Sequence, residues 1–278
     1  MTKLEVVSLA GKAREQDLWM SLRAAAEDAA REEPQLASQL NAVILSHDGL
    51  ASALSFQIAR KLGDSELGAM TVREVAMSAF RADPEIVAAA EADLCAVLER
   101  DPAIRSPLQP FLYFKGFQAL QAWRVAHWLW QQDRDTLAFH FQSRISELFQ
   151  LDIHPAATIG KGVFVDHGTG IVIGETAVVG DEVSMLHAVT LGGTGAERGD
   201  RHPKIGRGVL LGAGAKVLGN IEIGDYAKVA SGSVVLKPVP AGCTVAGVPA
   251  RTVNCPTDAT PARTMDHTLS DIVYDYVI

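Results

Sequence analysis

Several things are scarce in this 278-residue chain, and each scarcity excludes something. Cysteine occurs three times, as Cys95, Cys243 and Cys255. That odd count carries no CxxC pairing or metal-ligand spacing, so a disulfide framework is not expected and a reducing cytoplasm fits. Apolar runs are short: none approaches the roughly 20 residues that span a bilayer. The N-terminal stretch MTKLEVVSLAGKAREQDLWM breaks its apolar clusters with charges and so reads as no leader. The expectation is a soluble, non-exported protein with no membrane partner. Positive charge is sparse, 25 Lys and Arg against 33 Asp and Glu, for a net −8. No basic run is dense enough to neutralise successive phosphates, which excludes nucleic acid as a partner. Walker loops and Rossmann fingerprints are absent. The histidines at 154, 167, 187 and 202 form no compact His-x₄-His pair, so no metal is expected.

What is present is ordinary globular composition, 48% hydrophobic and 21% charged, divided into two halves of different period. Up to about residue 150 the pattern is helical, rich in Ala, Leu and Glu. Thr71-Val-Arg-Glu74 has the form of a capping box, and Asp83-Pro84-Glu85 places a capping carboxylate before a proline at a first helical position. Phe111, Phe114, Phe117, Trp123, Trp128 and Trp130 read as packing between helices.

Most of the 24 glycines lie after residue 159, where a six-residue period replaces the helical one. Ile153, Ile159, Val165, Ile171, Ala177, Val183 and Val189 stand six apart, as do Ile205, Leu211, Val217, Ile223, Val229 and Val235. All thirteen positions are aliphatic. Such a repeat predicts a chain laid down as short strands separated by like turns, a β-solenoid in which each repeat buries one aliphatic residue against its neighbours. Gly160, Gly174, Gly180, Gly206, Gly212 and Gly224 are expected at turns that a β-carbon would obstruct. The step from Val189 to Ile205 is not a multiple of six, so residues 193–204 (GTGAERGDRHPK) are expected as a loop extruded from one coil.

The segments DIHPAATIG, DHGTGIVIGETA, TLGGTG, RGDRHPK and AGVPARTV, in this order after a helical region, closely resemble the serine O-acetyltransferases of cysteine biosynthesis. The resemblance covers nearly the whole chain. It implies an α+β protein: an all-helical N-terminal oligomerisation domain (1–150), a left-handed parallel β-helix of hexapeptide repeats (151–255) and a flexible C-terminal tail (256–278). It also implies trimers through the β-helix, joined as a dimer of trimers through the helical domains.

The implied reaction moves acetyl from acetyl-CoA to the L-serine hydroxyl, giving O-acetyl-L-serine. An alcohol is a poor nucleophile at neutral pH, and histidine, with an ordinary pKa near 6.5, is the usual base. His167 is the candidate. Asp152 lies fifteen residues earlier, on a neighbouring rung in a three-sided coil, and the family makes the pair a dyad in which the acid orients the imidazole. A zwitterionic substrate asks for both charges. By resemblance Asp101 and Asp166 meet the ammonium, and Arg201 and His202 meet the carboxylate; by themselves, Asp101 reads equally as a helix terminator and Arg201 as a solvated loop charge. The family lays the coenzyme arm in a groove between coils, which places Gly193, Thr194, Ala213 and Ser231 along it, with Lys228 as a phosphate partner. Pro249 and Arg251 either close that groove or end the coil. The family further implies L-cysteine as feedback inhibitor, and cysteine synthase (O-acetylserine sulfhydrylase) as a partner of the C-terminal Ile278. Three other readings stay open at this point: another acyltransferase on the same scaffold, a zinc enzyme with histidines at subunit junctions, and a silent scaffold for the synthase.

Overall fold

The computed structural model describes residues 13–195, 198–256 and 260–269, and the chain divides into two compact units at residues 148/149. The first unit is helical. Its elements are α1 (Ala13–Glu32), a 3₁₀ turn (Pro34–Leu36), α2 (Ala37–Leu40), a π turn (Asn41–Leu45), α3 (Leu50–Leu62), α4 (Ala69–Ala82), α5 (Glu85–Arg100), α6 (Leu108–Tyr113), α7 (Lys115–Gln131) and α8 (Asp135–Phe149). Leu22, Ile44, Leu54, Leu94, Phe111, Leu120, Trp123 and Phe141 fill its interior. Of the expected aromatic core, Phe111, Phe117 and Trp123 are buried, while Phe114, Trp128 and Trp130 are half-buried.

The two helix starts read from the sequence differ in outcome. Asp83 Oδ1 accepts the Glu85 N–H at 3.1 Å, so that carboxylate does open α5. Thr71 caps nothing: α4 begins two residues before it, at Ala69 behind Gly68, with no side-chain cap. The backbone of Gly68 is already extended there, so the chain enters the helix before the Thr–Glu pair is reached.

The second unit is a parallel β-solenoid. Its strands are β1 (Leu151–Ile153), β2 (Thr158–Ile159), β3 (Phe164–Val165), β4 (Ile171–Ile173), β5 (Val178–Val179), β6 (Ser184–Met185), β7 (Thr190–Gly192), β8 (Lys204–Ile205), β9 (Leu210–Leu211), β10 (Lys216–Leu218), β11 (Glu222–Ile223), β12 (Lys228–Val229), β13 (Val234–Val235), β14 (Thr244–Gly247) and β15 (Ala250–Asn254). They stack as three sheets, β1-β4-β7-β10-β13, β2-β5-β8-β11 and β3-β6-β9-β12-β14-β15, which form the three sides of the coil. All thirteen aliphatic positions of the six-residue repeat are buried. Truncating one such residue to alanine costs about 2–5 kcal/mol.

The strand register shows something the period conceals. Ile173 pairs with Leu191 and Val217 with Val235, each 18 residues on, whereas Ile153 pairs with Ile173, 20 on, and Leu191 with Val217, 26 on. The regular coil is therefore 18 residues, one turn carries two extra and another carries eight. The eight are the extruded loop, whose last residue in the sequence reading, Lys204, belongs to β8. The two extra lie between Val165 and Ile173, in the turn that bears His167. They leave no mark on the count because both alternate positions of the following strands, Ile171 and Ile173, Ala177 and Val179, Val183 and Met185, Val189 and Leu191, are buried and aliphatic. A count by sixes slides from one set to the other.

The glycines ahead of the turns serve close approach more than backbone conformation. A β-carbon on Gly160 would lie 2.4 Å from Asp181 Oδ1, and one on Gly206 2.5 Å from Asp225 Oδ1. Those carboxylates accept the Lys161 and Arg207 N–H groups at 2.8 Å and tie successive coils.

Two expectations about the end of the coil are corrected. Cys243 and Cys255 form a disulfide, S–S 2.02 Å, with Cys95 outside the bridge. The pairing was hidden because β15 reverses direction and runs antiparallel to β14, with Thr244 opposite Asn254, which brings cysteines 12 residues apart face to face. AGVPAR is the turn of that hairpin, Gly247 opposite Ala250. In the region expected as a loose tail, residues 260–269 are docked: helix α9 (Pro261–Thr264) buries Pro261 and Ala262, and the Ala262 carbonyl accepts the Ser184 hydroxyl at 2.8 Å. The small apolar side chains of Pro261 and Ala262 give this segment something to bury, which a merely polar tail lacks. Ile278 lies outside the described residues. Among those described, no helix is long and apolar enough to cross a membrane.

Candidate functional site

The expected site residues of the coil collect on two corners. The first joins the third sheet to the first. Its turns stack through backbone bonds, Gly170 N–H to Gln150 O, Ala188 N–H to Thr169 O, Gly214 N–H to His187 O and Gly232 N–H to Ala213 O, at 2.7–2.9 Å. This edge carries Asp166, His167, His187, Ala213 and Ser231. The two-residue insertion throws the chain outward here. His167 takes a left-handed conformation (φ 57°) between Asp166 and Gly168, itself at φ 70°. The same conformation recurs at other coil turns, at Gln150, Glu182, Ala188 and Tyr226, so the inserted turn and not the backbone region sets His167 apart. The His167 side chain is 73% exposed, its Nε2 lies 3.7 Å from Asp166 Oδ1, and its ring meets that of His187 edge-on at 6.0 Å. Asp152 stands on the strand that leaves this corner one rung below, paired with Val172 and facing outward.

The second corner, at the far end of the first sheet, holds Arg201 and His202 at the root of the extruded loop. Arg201 Nη2 donates to Glu175 Oε2 at 2.7 Å, and that partner draws the Glu175 carboxyl below its ordinary pKa. His202 is buried, its imidazole pressed on the backbone of Gly174, where a β-carbon would come within 2.1 Å of Nε2. Burial lowers the pKa of His202, and likewise that of the neighbouring His154, whose Nδ1 accepts the Ala156 N–H at 3.0 Å. Gly193 lies against Arg201 and Thr194 against Gly219, also at this corner.

The expected residues are thus divided between two edges of one sheet. His167, Asp166, Ala213 and Ser231 stand on one edge; Arg201, His202, Gly193 and Thr194 stand on the other. A three-residue strand, about 10 Å at 3.3 Å per residue, lies between. Lys228 starts β12, and its Nζ donates to the Thr268 carbonyl of the docked segment at 2.6 Å. Asp101 belongs to the helical unit, where it ends α5 and its Oδ1 accepts the Ala103 N–H at 2.8 Å, the terminator reading. Glu175 and Thr176, which hold the Arg201–His202 pair, were not singled out from sequence. Their only signal is position: they follow Gly174 in the coil directly beneath the place where the period fails.

No group of three or more His, Cys, Asp or Glu suited to a metal ion occurs among the described residues. An aliphatic coil that displays a histidine on a lengthened turn, with Arg201 and His202 on the next corner, is built as the hexapeptide-repeat transferases are. The pattern "bacterial transferase hexapeptide (six repeats)" matches residues 202–237, and "serine acetyltransferase, N-terminal" matches residues 18–122. Serine acetyltransferase of Escherichia coli strain K12 is 52% identical over 259 residues, 93% of this chain and 95% of that protein. The crystal structure of serine acetyltransferase from Vibrio cholerae superposes with TM-score 0.90 at 55% identity, covering 91% of this chain and 98% of that one. That of the Brucella abortus enzyme in complex with coenzyme A gives TM-score 0.85 at 51% identity, covering 89% and 100%. The chain belongs to the serine acetyltransferase family.

Proposed function

We propose that this serine acetyltransferase transfers acetyl from acetyl-CoA to the hydroxyl of L-serine, with His167 as the general base. The observation that carries this reading is His167 on a two-residue insertion, exposed and 3.7 Å from a carboxylate. A two-residue insertion that displays an exposed imidazole beside a carboxylate suits proton transfer. In the forward step the unprotonated imidazole accepts the serine hydroxyl proton while the oxygen bonds to the thioester carbonyl carbon. Collapse of the tetrahedral intermediate breaks the carbon–sulfur bond, and the imidazolium returns its proton to the departing thiolate. Asp152 orients the imidazole, as the family resemblance implies. Asp166 and Asp101 serve the ammonium, and Arg201 and His202 serve the carboxylate by charge-assisted bonds.

Relatives support the ligands. One serine acetyltransferase has been solved as a complex with cysteine, the Brucella abortus enzyme with coenzyme A, and the soybean enzyme with serine. The coenzyme arm is assigned to Gly193, Thr194, Ala213 and Ser231, with Lys228 for phosphate, and L-cysteine to the serine position as inhibitor. The distance between the two corners favours an oligomer in which a second coil faces the first, a trimer doubled through the helical units. Cysteine synthase is the assigned partner of Ile278, in cysteine biosynthesis in the cytoplasm.

The test is release of coenzyme A thiol from acetyl-CoA with L-serine, with L-homoserine, and with a His167→Ala variant. Serine-dependent release that falls by about 10²–10⁴ in kcat in the variant is expected for loss of a general base. A folded parent that releases no thiol with serine overturns the reading in favour of another acceptor or of the silent scaffold.

A further inference from the structure

We propose that Thr176 is a positioning residue for the substrate carboxylate, holding Arg201 and His202 in register and keeping His202 in one neutral tautomer. The hydroxyl oxygen of Thr176 accepts two consecutive backbone donors from the loop, Arg201 N–H at 3.0 Å and His202 N–H at 3.1 Å. It also lies 2.9 Å from His202 Nδ1, to which the Thr176 backbone N–H donates at 3.1 Å. A ring nitrogen that accepts a backbone N–H holds no proton, so Nδ1 is bare and Nε2 carries the hydrogen. The Thr176 carbonyl in turn accepts Lys204 Nζ at 2.8 Å. Every polar atom of this one residue therefore fastens the returning end of an eight-residue insertion to the coil beneath it.

The consequence is chemical as well as mechanical. The charged groups around His202 are Arg201, Glu175, Lys204 and His154. Arg201 is already paired with Glu175, 2.7 Å away, and carries the cationic part of the site. A neutral His202 then supplies a directed Nε2–H donor without adding a second cation beside the guanidinium. Specificity for a carboxylate rests on geometry at this corner, and Thr176 sets that geometry. Glu175 on the same turn holds the guanidinium; Thr176 holds the backbone and ring.

This assignment rests on the serine-transfer reading. Its test is steady-state kinetics of the full-length protein with Thr176→Val, which keeps the shape and removes the hydroxyl, and Thr176→Ser, which restores it. In the valine variant the KM for L-serine rises by about tenfold or more, while kcat and the acetyl-CoA KM stay within about threefold. The serine variant returns to parental values. Trypsin gives a readout free of turnover: cleavage at Arg198 and Arg201 quickens in the valine variant and not in the serine one. Should the valine variant not fold, Thr176→Ala carries the same expectations. A parent with no serine-dependent release overturns the transfer reading and this assignment together. An active parent whose valine or alanine variant keeps its serine KM, or whose serine variant is as impaired as the valine one, overturns the assignment alone.

Discussion

The two units handle polar side chains in opposite ways. The helical unit takes charge inside and neutralises it there: Asp93, 0% exposed, accepts Arg124 Nη2 at 2.6 Å and Gln121 Nε2 at 3.0 Å in the midst of the bundle. The coil keeps its interior aliphatic, and the small polar groups it buries meet neutral backbone partners, such as Ser184 on Ala262 O and Ser233 on Gly247 N–H. Its ionisable groups stand on corners and outer faces. The difference teaches where each architecture can change. A coil whose core is a ladder of aliphatic residues tolerates two or eight extra residues at a turn, because the next strand drops back into the same ladder. Function accumulates at such breaks. A bundle that has buried a charge cannot lose its partner.

The largest effect expected from this contrast is in the bundle. Removing one member of a buried pair leaves the other charge uncompensated, at a cost of about 3–5 kcal/mol. Asp93→Ala should therefore lower the stability of the full chain by that amount in urea unfolding. In the coil, Ser184→Ala removes a neutral hydrogen bond, for about 1 kcal/mol. Equal losses from the two substitutions would erase the distinction drawn between the interiors.

A smaller effect sharpens the comparison through pH. Burial lowers the pKa of His154, His202 and His267 in the second unit and of His47 in the bundle. Each is held neutral when folded, while the unfolded chain takes up a proton near 6.5, so the unfolded state binds more protons in that window. Stability then rises with pH from the lowered folded values up to about 6.5 and is flat above. Glu175 acts in the same direction lower down: Arg201 depresses its pKa, so its contribution is present above the ordinary carboxylate range and lost as pH falls through the folded value. Thermal midpoints should therefore fall between pH 7 and pH 5, with the second unit losing more than the bundle because it holds three of these four histidines. The same slope in a His154→Gln, His47→Gln double variant would refute this account.

How much could be read beforehand differs between the units for a physical reason. The coil repeats one environment, so thirteen aliphatic residues at fixed spacing sufficed to predict a β-solenoid and the extruded loop. What escaped were the departures that leave the interior unchanged. The two extra residues at His167 were masked by paired aliphatic positions, and the Cys243–Cys255 bridge by a hairpin that reverses the last strand. Of the candidate site, His167 stood out on a glycine-flanked turn, while Arg201 and His202 were named only through the family resemblance. Glu175 and Thr176 were not, because a residue that holds another residue looks, in one dimension, like any polar turn. The bundle offers no repeat, and its local signals compete. Asp93 lies on α5 while Gln121 and Arg124 share α7, so their meeting is a tertiary fact that spacing cannot carry.

The smallest effect decides between two local signals that look alike in sequence. Thr71-x-x-Glu74 and Asp83-Pro84-Glu85 both read as helix starts, yet only the second donates and accepts at a helix end. Asp83→Ala removes the acceptor of the Glu85 N–H and should cost about 1 kcal/mol, the usual worth of an N-terminal cap. Thr71 is exposed and already inside α4. There a β-branched residue loses side-chain freedom that alanine does not, so Thr71→Ala should be neutral or stabilising by a few tenths of a kcal/mol. Chemical denaturation of the two variants beside the parent reads both numbers. If Thr71→Ala proved as costly as Asp83→Ala, α4 would have to begin at the Thr–Glu pair, and the extended Gly68 would not be its first cap.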